Sequence, residues 1–474
     1  MSARAGTERG PRIAFPISLV AVLAFLVAAF AENMDRKLWD RNEVLKWDVA
    51  GYYHYLPALF INGDISDLRY VWTDTIHARV SERAFGIHKA PSTGRFFTKF
   101  SCGTAIMQLP FFWVAHDHAL SDPRIRSDGY SAPYALAVQL STVFYVVLGM
   151  FLLRSFLLNH VNDLAAAIPI LVIGFGTNLF FYSTLNAGMS HGYLFFLYAL
   201  VLYATDRWRR SPRLLPLSII AFACGLTAVT RPVDGLIVII PILGTFLPVR
   251  GTAEPWRMLL QRPHWIAMAL VLFFLPLIPQ FMYWKAVSGQ WLFYSYGHEG
   301  FDLRWEKIWW GLFSFRKGWF IYSPLVILGL IGLYIVAKKD LLKPFAWIAL
   351  IYLPIYIVVV FSWHQWWYGG GFGARPMVNV LPLLALPIAV LAEDLHRRYR
   401  TMWWSMLVTV YVGIRLNLFQ LEQFPSTIMH YDSMTMERYF EVFLEDDWHD
   451  LRPFPQESDH PDDLPPKDEQ IIGT

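Results

Sequence analysis

About 11 apolar stretches, each near the roughly 20 residues that a helix needs to cross the hydrocarbon of a bilayer, recur along the 474 residues. They fall at about 13–31, 132–153, 164–183, 190–205, 214–230, 235–249, 264–283, 320–337, 344–362, 376–392 and 402–419. With 55% hydrophobic and 16% charged residues, the chain cannot be an ordinary soluble domain. The expected fold class is an all-α polytopic membrane protein. Arg4, Arg9 and Arg12 precede the first stretch, which reads as a retained signal anchor and not a removed signal peptide.

One further apolar stretch, Cys102 to Ala115, decides the topology, because counting it as a span would invert everything after it. It is short, contains Gln108 and Pro110, and runs into His116-Asp117-His118, the profile of a re-entrant or interfacial helix. If it does not cross, one side collects Arg154, Arg207, Arg209, Arg210, Arg213, Arg250, Arg257, Arg262, Lys338, Lys339, Lys343, Arg397, Arg398 and Arg400. That partition obeys the positive-inside rule, whereas a crossing would export the clusters at 207–213 and 397–400. The expected organisation is a cytoplasmic N-terminus over 1–12 and a transmembrane domain over 13–420. The first outer loop covers 32–131 and includes an interfacial helix over 102–118. An acidic outer tail, 421–474, follows; its stretch from Gln456 to Thr474 has too little apolar surface to order itself.

The net charge of +3 hides this asymmetry, and no nucleic-acid partner is expected. Cys102 and Cys224, the two cysteines, lie in different apolar segments, which excludes a disulfide framework and a thiolate metal cluster. No P-loop or dinucleotide fingerprint is present, which argues against nucleotide hydrolysis. The outer segments 32–131, 284–319 and 363–375 are rich in Trp and Tyr, which first of all mark the membrane interface and contact membrane lipids.

Two outer segments carry more specific patterns. The run from Asp48 through Tyr52, Tyr53 and His54 to Gly63-Asp64 resembles the first outer loop of GT-C fold glycosyltransferases of the protein mannosyltransferase and aminoarabinose transferase type (glycosyltransferase family 39-like). There an acidic residue precedes tyrosines and a Gly-Asp follows about one amphipathic helix later. The run Arg95-Phe-Phe-Thr-Lys99-Phe-Ser-Cys-Gly103 is similar to the second juxtamembrane helix of that family, with Ser101 to Gly103 where the family typically has prolines. Trp363-His364-Gln365-Trp366-Trp367-Tyr368 leading into the glycines at 369–371 and 373 and then Arg375 resembles the aromatic, glycine and arginine loop of related bacterial enzymes.

The resemblance implies transfer of a sugar from a polyprenyl-phosphate donor to a lipid, glycan or protein acceptor outside the cytoplasm, in a multi-pass protein of the bacterial inner (plasma) membrane. Such chemistry needs a base for the acceptor hydroxyl and cations for the phosphate leaving group. Asp48 is the candidate base, with Lys46 near enough in sequence to pair with it instead; Asp40, Glu43 and Asp64 sit in more ordinary polar surroundings. The candidate phosphate partners are Arg95, Lys99, Arg231, Arg375 and Arg316, all expected at the outer boundary, where they could equally snorkel to headgroups. Tyr52, Tyr53, Trp363 and Trp366 offer faces to a sugar or a lipid. His191 could donate to a phosphate or sugar oxygen, or make a structural hydrogen bond. His298-Glu299 and His364 could contribute to a divalent metal site, although their spacing matches no zinc motif. The alternative is a lipid-linked saccharide flippase or other transporter, which would favour ionisable residues at mid-span and a repeat in the two halves.

Overall fold

The protein is described by a computed structural model over residues 15–73, 80–248 and 254–447. Arg4, Arg9, Arg12, Arg250 and the acidic stretch 456–474 lie outside the described residues.

The chain is a bundle of helices. In order, α1 is Ile17–Arg36, α2 Trp47–Tyr53, α3 Gly103–Ser121, α4 Ala132–Leu157, α5 Asp163–Phe175, α6 Ser190–Arg210 and α7 Leu214–Thr230. After them come α8 (Ile239–Phe246), α9 (Pro263–Ser288), α10 (Trp305–Phe313), α11 (Ile327–Ala337), α12 (Lys343–Phe361), α13 (Leu381–Arg398) and α14 (Arg400–Gln423). Among the described residues, α1, α4, α9, α12 and α14 are long and apolar enough to cross a membrane by length and composition. Some of the other expected spans are broken. The stretch 164–183 is interrupted after Phe175 and resumes at Leu179–Ser183, and 320–337 passes through a short helix and a 3-10 turn at Pro324–Val326 before α11. Glycine, proline and serine at these breaks supply the cause, since each weakens or interrupts the helical ladder.

Two helices form the centre. Every residue from Leu381 to Glu393 of α13 is buried, the all-round burial of a helix enclosed by others. It packs on α5 and α11, while α6 packs on α4, α7 and α8. Small residues permit the close crossings: a side chain at Gly332 of α11 would collide with the backbone of Pro387, and one at Gly225 of α7 with the backbone of Phe273.

The polar groups sort to two ends. At one end, Asp163 at the start of α5 accepts from the Ser18 amide at 3.3 Å and lies 3.9 Å from Arg154. Asp206 takes His160 at 3.1 Å and Arg210 at 2.9 Å, and Glu393 takes Asn162 at 2.9 Å and Arg397 at 3.0 Å. These are the turns that the charge distribution assigns to one compartment. The opposite ends of α6, α7 and α13 receive the first loop, where strands β1 (Ile87–Lys89) and β2 (Phe96–Thr98) form an antiparallel hairpin that pairs Ile87 with Thr98. Helix α3 begins against Thr230 at the end of α7. It finishes beside the first turn of α4, where His116 Nδ1 lies 2.6 Å from the Tyr134 hydroxyl. Both ends of α3 therefore belong to the same half of the bundle.

Candidate functional site

The hairpin fixes α2. Thr98 donates through its hydroxyl to the Gly51 carbonyl at 3.0 Å, and Tyr55 donates to the Phe100 carbonyl at 2.6 Å. Gly51 has no alternative, because a Cβ there would enter the Phe100 ring. The close approach sets the Tyr52 ring 4.7 Å from that of Phe100 and turns the Asp48 side of α2 toward the bundle.

There Asp48 meets Arg375. The guanidinium Nη2 lies 2.8 Å from Asp48 Oδ2, and the two side chains retain only 17% and 13% of their exposure. Lys46, the neighbour in sequence, pairs with Glu43. The loop ahead of Arg375 is shaped by its glycines: a Cβ on Gly371 would sit 2.7 Å from the Tyr182 hydroxyl, while the Arg375 side chain passes 3.9 Å away. Asn178 and Tyr182 donate to the Phe372 carbonyl at 3.3 and 3.4 Å. Lys317 donates to the carbonyls of Gly371 and Tyr431, which ties the glycine loop to the segment after α14. Burial pushes the Lys317 amine down to about 7, against the attraction of Asp432.

A second arginine closes the other side. Arg231, just past the end of α7, holds its guanidinium 5.0 Å from the centre of the Tyr368 ring, and Arg375 lies 5.8 Å from the same ring. Tyr368 adopts a left-handed φ of 60°, a conformation that costs a bulky residue energy and persists where its surroundings hold it. Its hydroxyl donates to the Val360 carbonyl at 2.6 Å. Tyr52 lies in the field of Asp48, Arg231 and Arg375 together; burial, then Asp48, raise its pKa, and the two arginines act in the opposite sense. Burial costs Arg375 its hydration, the largest influence on it, yet Asp48, Tyr182 and Tyr52 together outweigh that and hold its charge more firmly than usual.

His191 is buried at the first turn of α6, with Nδ1 3.0 Å from Asn379 Oδ1. Asn379 in turn donates through Nδ2 to Asp234 Oδ1 at 2.9 Å, so the His191 ring presents Nδ1–H. Asp48, Tyr52, His191, Arg231 and Arg375 thus converge from α2, the start of α6, the end of α7 and the 3-10 turn Arg375–Val378 ahead of α13.

The remaining sequence candidates sit elsewhere. Lys99 pairs with Glu299 at 2.5 Å and lies 5.5 Å from the Tyr296 ring; Tyr296 feels Tyr52, Arg231 and Asp48, so Lys99 stands one residue back from the cluster. Arg95 is exposed and donates to the Ala286 carbonyl at 2.6 Å. Arg316 pairs with Asp432 at 3.0 Å and lies over Trp367 at 3.8 Å, behind the glycine loop. Tyr53 points to the other face of α2 and donates to the Gly129 carbonyl at 2.5 Å. Trp363 packs on Tyr296 and Phe301 at 5.5 and 5.1 Å, beside His364 at 4.9 Å. Trp366 is fully buried against Trp310. Glu299 is engaged by Lys99, and among the described residues no three His, Cys, Asp or Glu side chains gather as a metal site; His298, Glu299 and His364 do not fit one.

Sequence reading missed Asp234, Asn379, Tyr296 and Tyr368. The one local signal was the three-residue spacing of Arg231 and Asp234 around Pro232.

No family model matches the chain, and no curated protein matches it. Among solved structures the chain is similar to the crystal structure of ArnT from Cupriavidus metallidurans in the apo state, with 16% identity and a TM-score of 0.43 over 83% of this chain. The match spans 62% of that protein's length.

Proposed function

We propose that the chain is a membrane glycosyltransferase that moves one sugar from a polyprenyl-phosphate donor to an acceptor outside the cytoplasm. The observation that carries this reading is the meeting of Asp48 with Arg375 at 2.8 Å beside Arg231 and Tyr52, at the end of the bundle away from the basic turns. Asp48 takes the proton of the acceptor hydroxyl. Arg375 and Arg231 receive the charge that develops on the departing phosphate, where fixed guanidiniums in a partly desolvated site act most strongly. Tyr52 and Tyr296 wall the space between them. The sugar and the class of acceptor stay open, since lipid, glycan and protein hydroxyls meet the same chemical need.

Purified protein in detergent, given a synthetic polyprenyl-phosphate sugar and a panel of hydroxyl acceptors, is expected to release polyprenyl phosphate and glycosylate one of them. Translocation of the same lipid across vesicles without any transfer would replace this reading with the transporter.

A further inference from the structure

Asp234 is a carboxylate with two unequal oxygens. It follows Arg231 and Pro232 in the 3-10 turn Pro232–Val238, and its side chain is completely buried. Oδ1 accepts from Tyr198 at 2.8 Å, Tyr356 at 2.9 Å and Asn379 at 2.9 Å. Oδ2 has no hydrogen-bond partner and lies 3.7 Å from Arg231 Nη1, which has none either. Here three donors saturate one oxygen and aim the other at a single cation.

The direction of that aim matters. Arg231 lies between Asp234 on one side and the Tyr368 ring on the other, and its charge is felt by Tyr52, Tyr296 and Arg375. A flexible arginine loses rotamer entropy when it binds phosphate; one already held by a buried carboxylate has lost it beforehand. Isolated buried charge is costly, so the arrangement is sustained by the pairing of Asp234 with Arg231 together with the three donors to Oδ1.

We propose that Asp234 is the positioning residue for Arg231, presenting its guanidinium to the phosphate of a polyprenyl-phosphate lipid, with Tyr198, Tyr356 and Asn379 orienting the carboxylate. The inference rests on the reading of the site as a lipid-phosphate site and adds a residue that touches no substrate.

Asp234→Asn keeps the size and an oxygen for the three donors while removing the charge. In the full chain in detergent, D234N is expected to retain the melting behaviour of a folded protein, to raise Kd for polyprenyl monophosphate roughly tenfold, about 1.4 kcal/mol, and to lower kcat/KM for the lipid donor by at least as much, because Arg231 also meets the charge that develops on the leaving phosphate. On an Arg231→Gln background the same substitution adds nothing further, because the group it positions is gone. An unchanged Kd in folded D234N, or effects of D234N and R231Q that multiply in the double variant, overturns the proposal. Asp234→Glu, which keeps the charge but shifts it by one methylene, is the second variant should D234N not fold: it also raises Kd, and a wild-type Kd overturns the proposal. Binding of polyprenyl monophosphate that R231Q abolishes and D234N leaves intact removes Asp234 alone. Wild-type protein that neither binds the lipid nor transfers sugar removes the underlying reading with it.

Discussion

Asp48 Oδ2 and Arg375 Nη2 stand 2.8 Å apart, joining a helix of the loop after α1 to a glycine loop on the far side of the sequence. The pair couples the two roles proposed for its members. While it is closed, one carboxylate oxygen is occupied by the guanidinium and the guanidinium is partly satisfied. On the proposed function, an arriving phosphate would compete for Arg375 and release Asp48, so that donor binding would prepare the base for the acceptor.

A specific and opposite pair of effects follows for Asp48→Asn. Transfer falls by about 10²- to 10⁴-fold, the usual worth of a general base. Affinity for polyprenyl monophosphate rises instead, because Arg375 no longer has a carboxylate to satisfy. Equilibrium binding and single-turnover transfer on the same preparation check both; weaker lipid binding by D48N would show that the ion pair assembles the site and does not gate it.

Gly371→Ala tests the loop without touching a charge. The added methyl meets the Tyr182 hydroxyl at 2.7 Å, and the loop must move, taking Arg375 with it. Misplacement on the order of 1 Å can cost about a hundredfold in turnover. The expected result is a large loss in kcat/KM with a melting temperature close to wild type. Co-substitution of Tyr182 by Phe, which removes the clashing oxygen, is expected to restore part of the activity.

Adjacent tyrosines are expected to separate cleanly. Tyr53 donates to the Gly129 carbonyl at 2.5 Å in a buried setting, so Tyr53→Phe leaves that acceptor unsatisfied and lowers stability by about 1–3 kcal/mol, with kcat and KM intact. Tyr52 accepts from Ser190 at 3.3 Å and lies in the field of Asp48 and both arginines, so Tyr52→Phe lowers kcat/KM with little change in melting. Denaturation and kinetics on the two variants measure both.

The contrast between those neighbours also shows what the sequence could disclose. Span positions were legible because helix length and hydropathy are local properties, and the segments over 132–153, 214–230 and 344–362 coincide with α4, α7 and α12 to within a few residues. His191, Arg231 and Arg375 stood out because each is polar at the edge of an apolar run, and Asp48 and Tyr52 because the run that holds them resembles a known family's first loop. Asp234, Asn379, Tyr198 and Tyr356 did not, since their meaning comes from partners on other helices; Asn379 lies 145 positions from the carboxylate it donates to. Tyr53 and Arg95 share the composition of their neighbours, and only the packing of α2 and the hairpin separates them from the cluster. The breaks inside 164–183 and 320–337 were hidden because an apolar average does not register an interrupted ladder.

Lys317 offers a dependence on pH whose sign can be worked out. Burial lowers its pKa from the ordinary 10.5 to about 7, while Asp432 pulls it the other way and Arg316 and Arg375 push it further down. Between those values the unfolded chain binds a proton that the folded chain does not, so the contribution of Lys317 to stability increases with pH across the window from about 7 to about 10.5 and is level outside it. The slope cannot exceed roughly 1.4 kcal/mol per pH unit for one group. Tyrosines and cysteines titrate in the same range, which makes the comparison with Lys317→Met the informative measurement. The difference in unfolding free energy between wild type and K317M is expected to shift in favour of the wild type from pH 7 upward, because only the wild type sheds a buried charge. Donor KM should differ between the two as well, since the Lys317 amine ties the Gly371 carbonyl to that of Tyr431 and the glycine loop leads directly to Arg375. A difference in stability that is flat with pH would mean that Lys317 keeps its proton in the fold, and that the loop is held by a charged clamp at every pH at which the protein is stable.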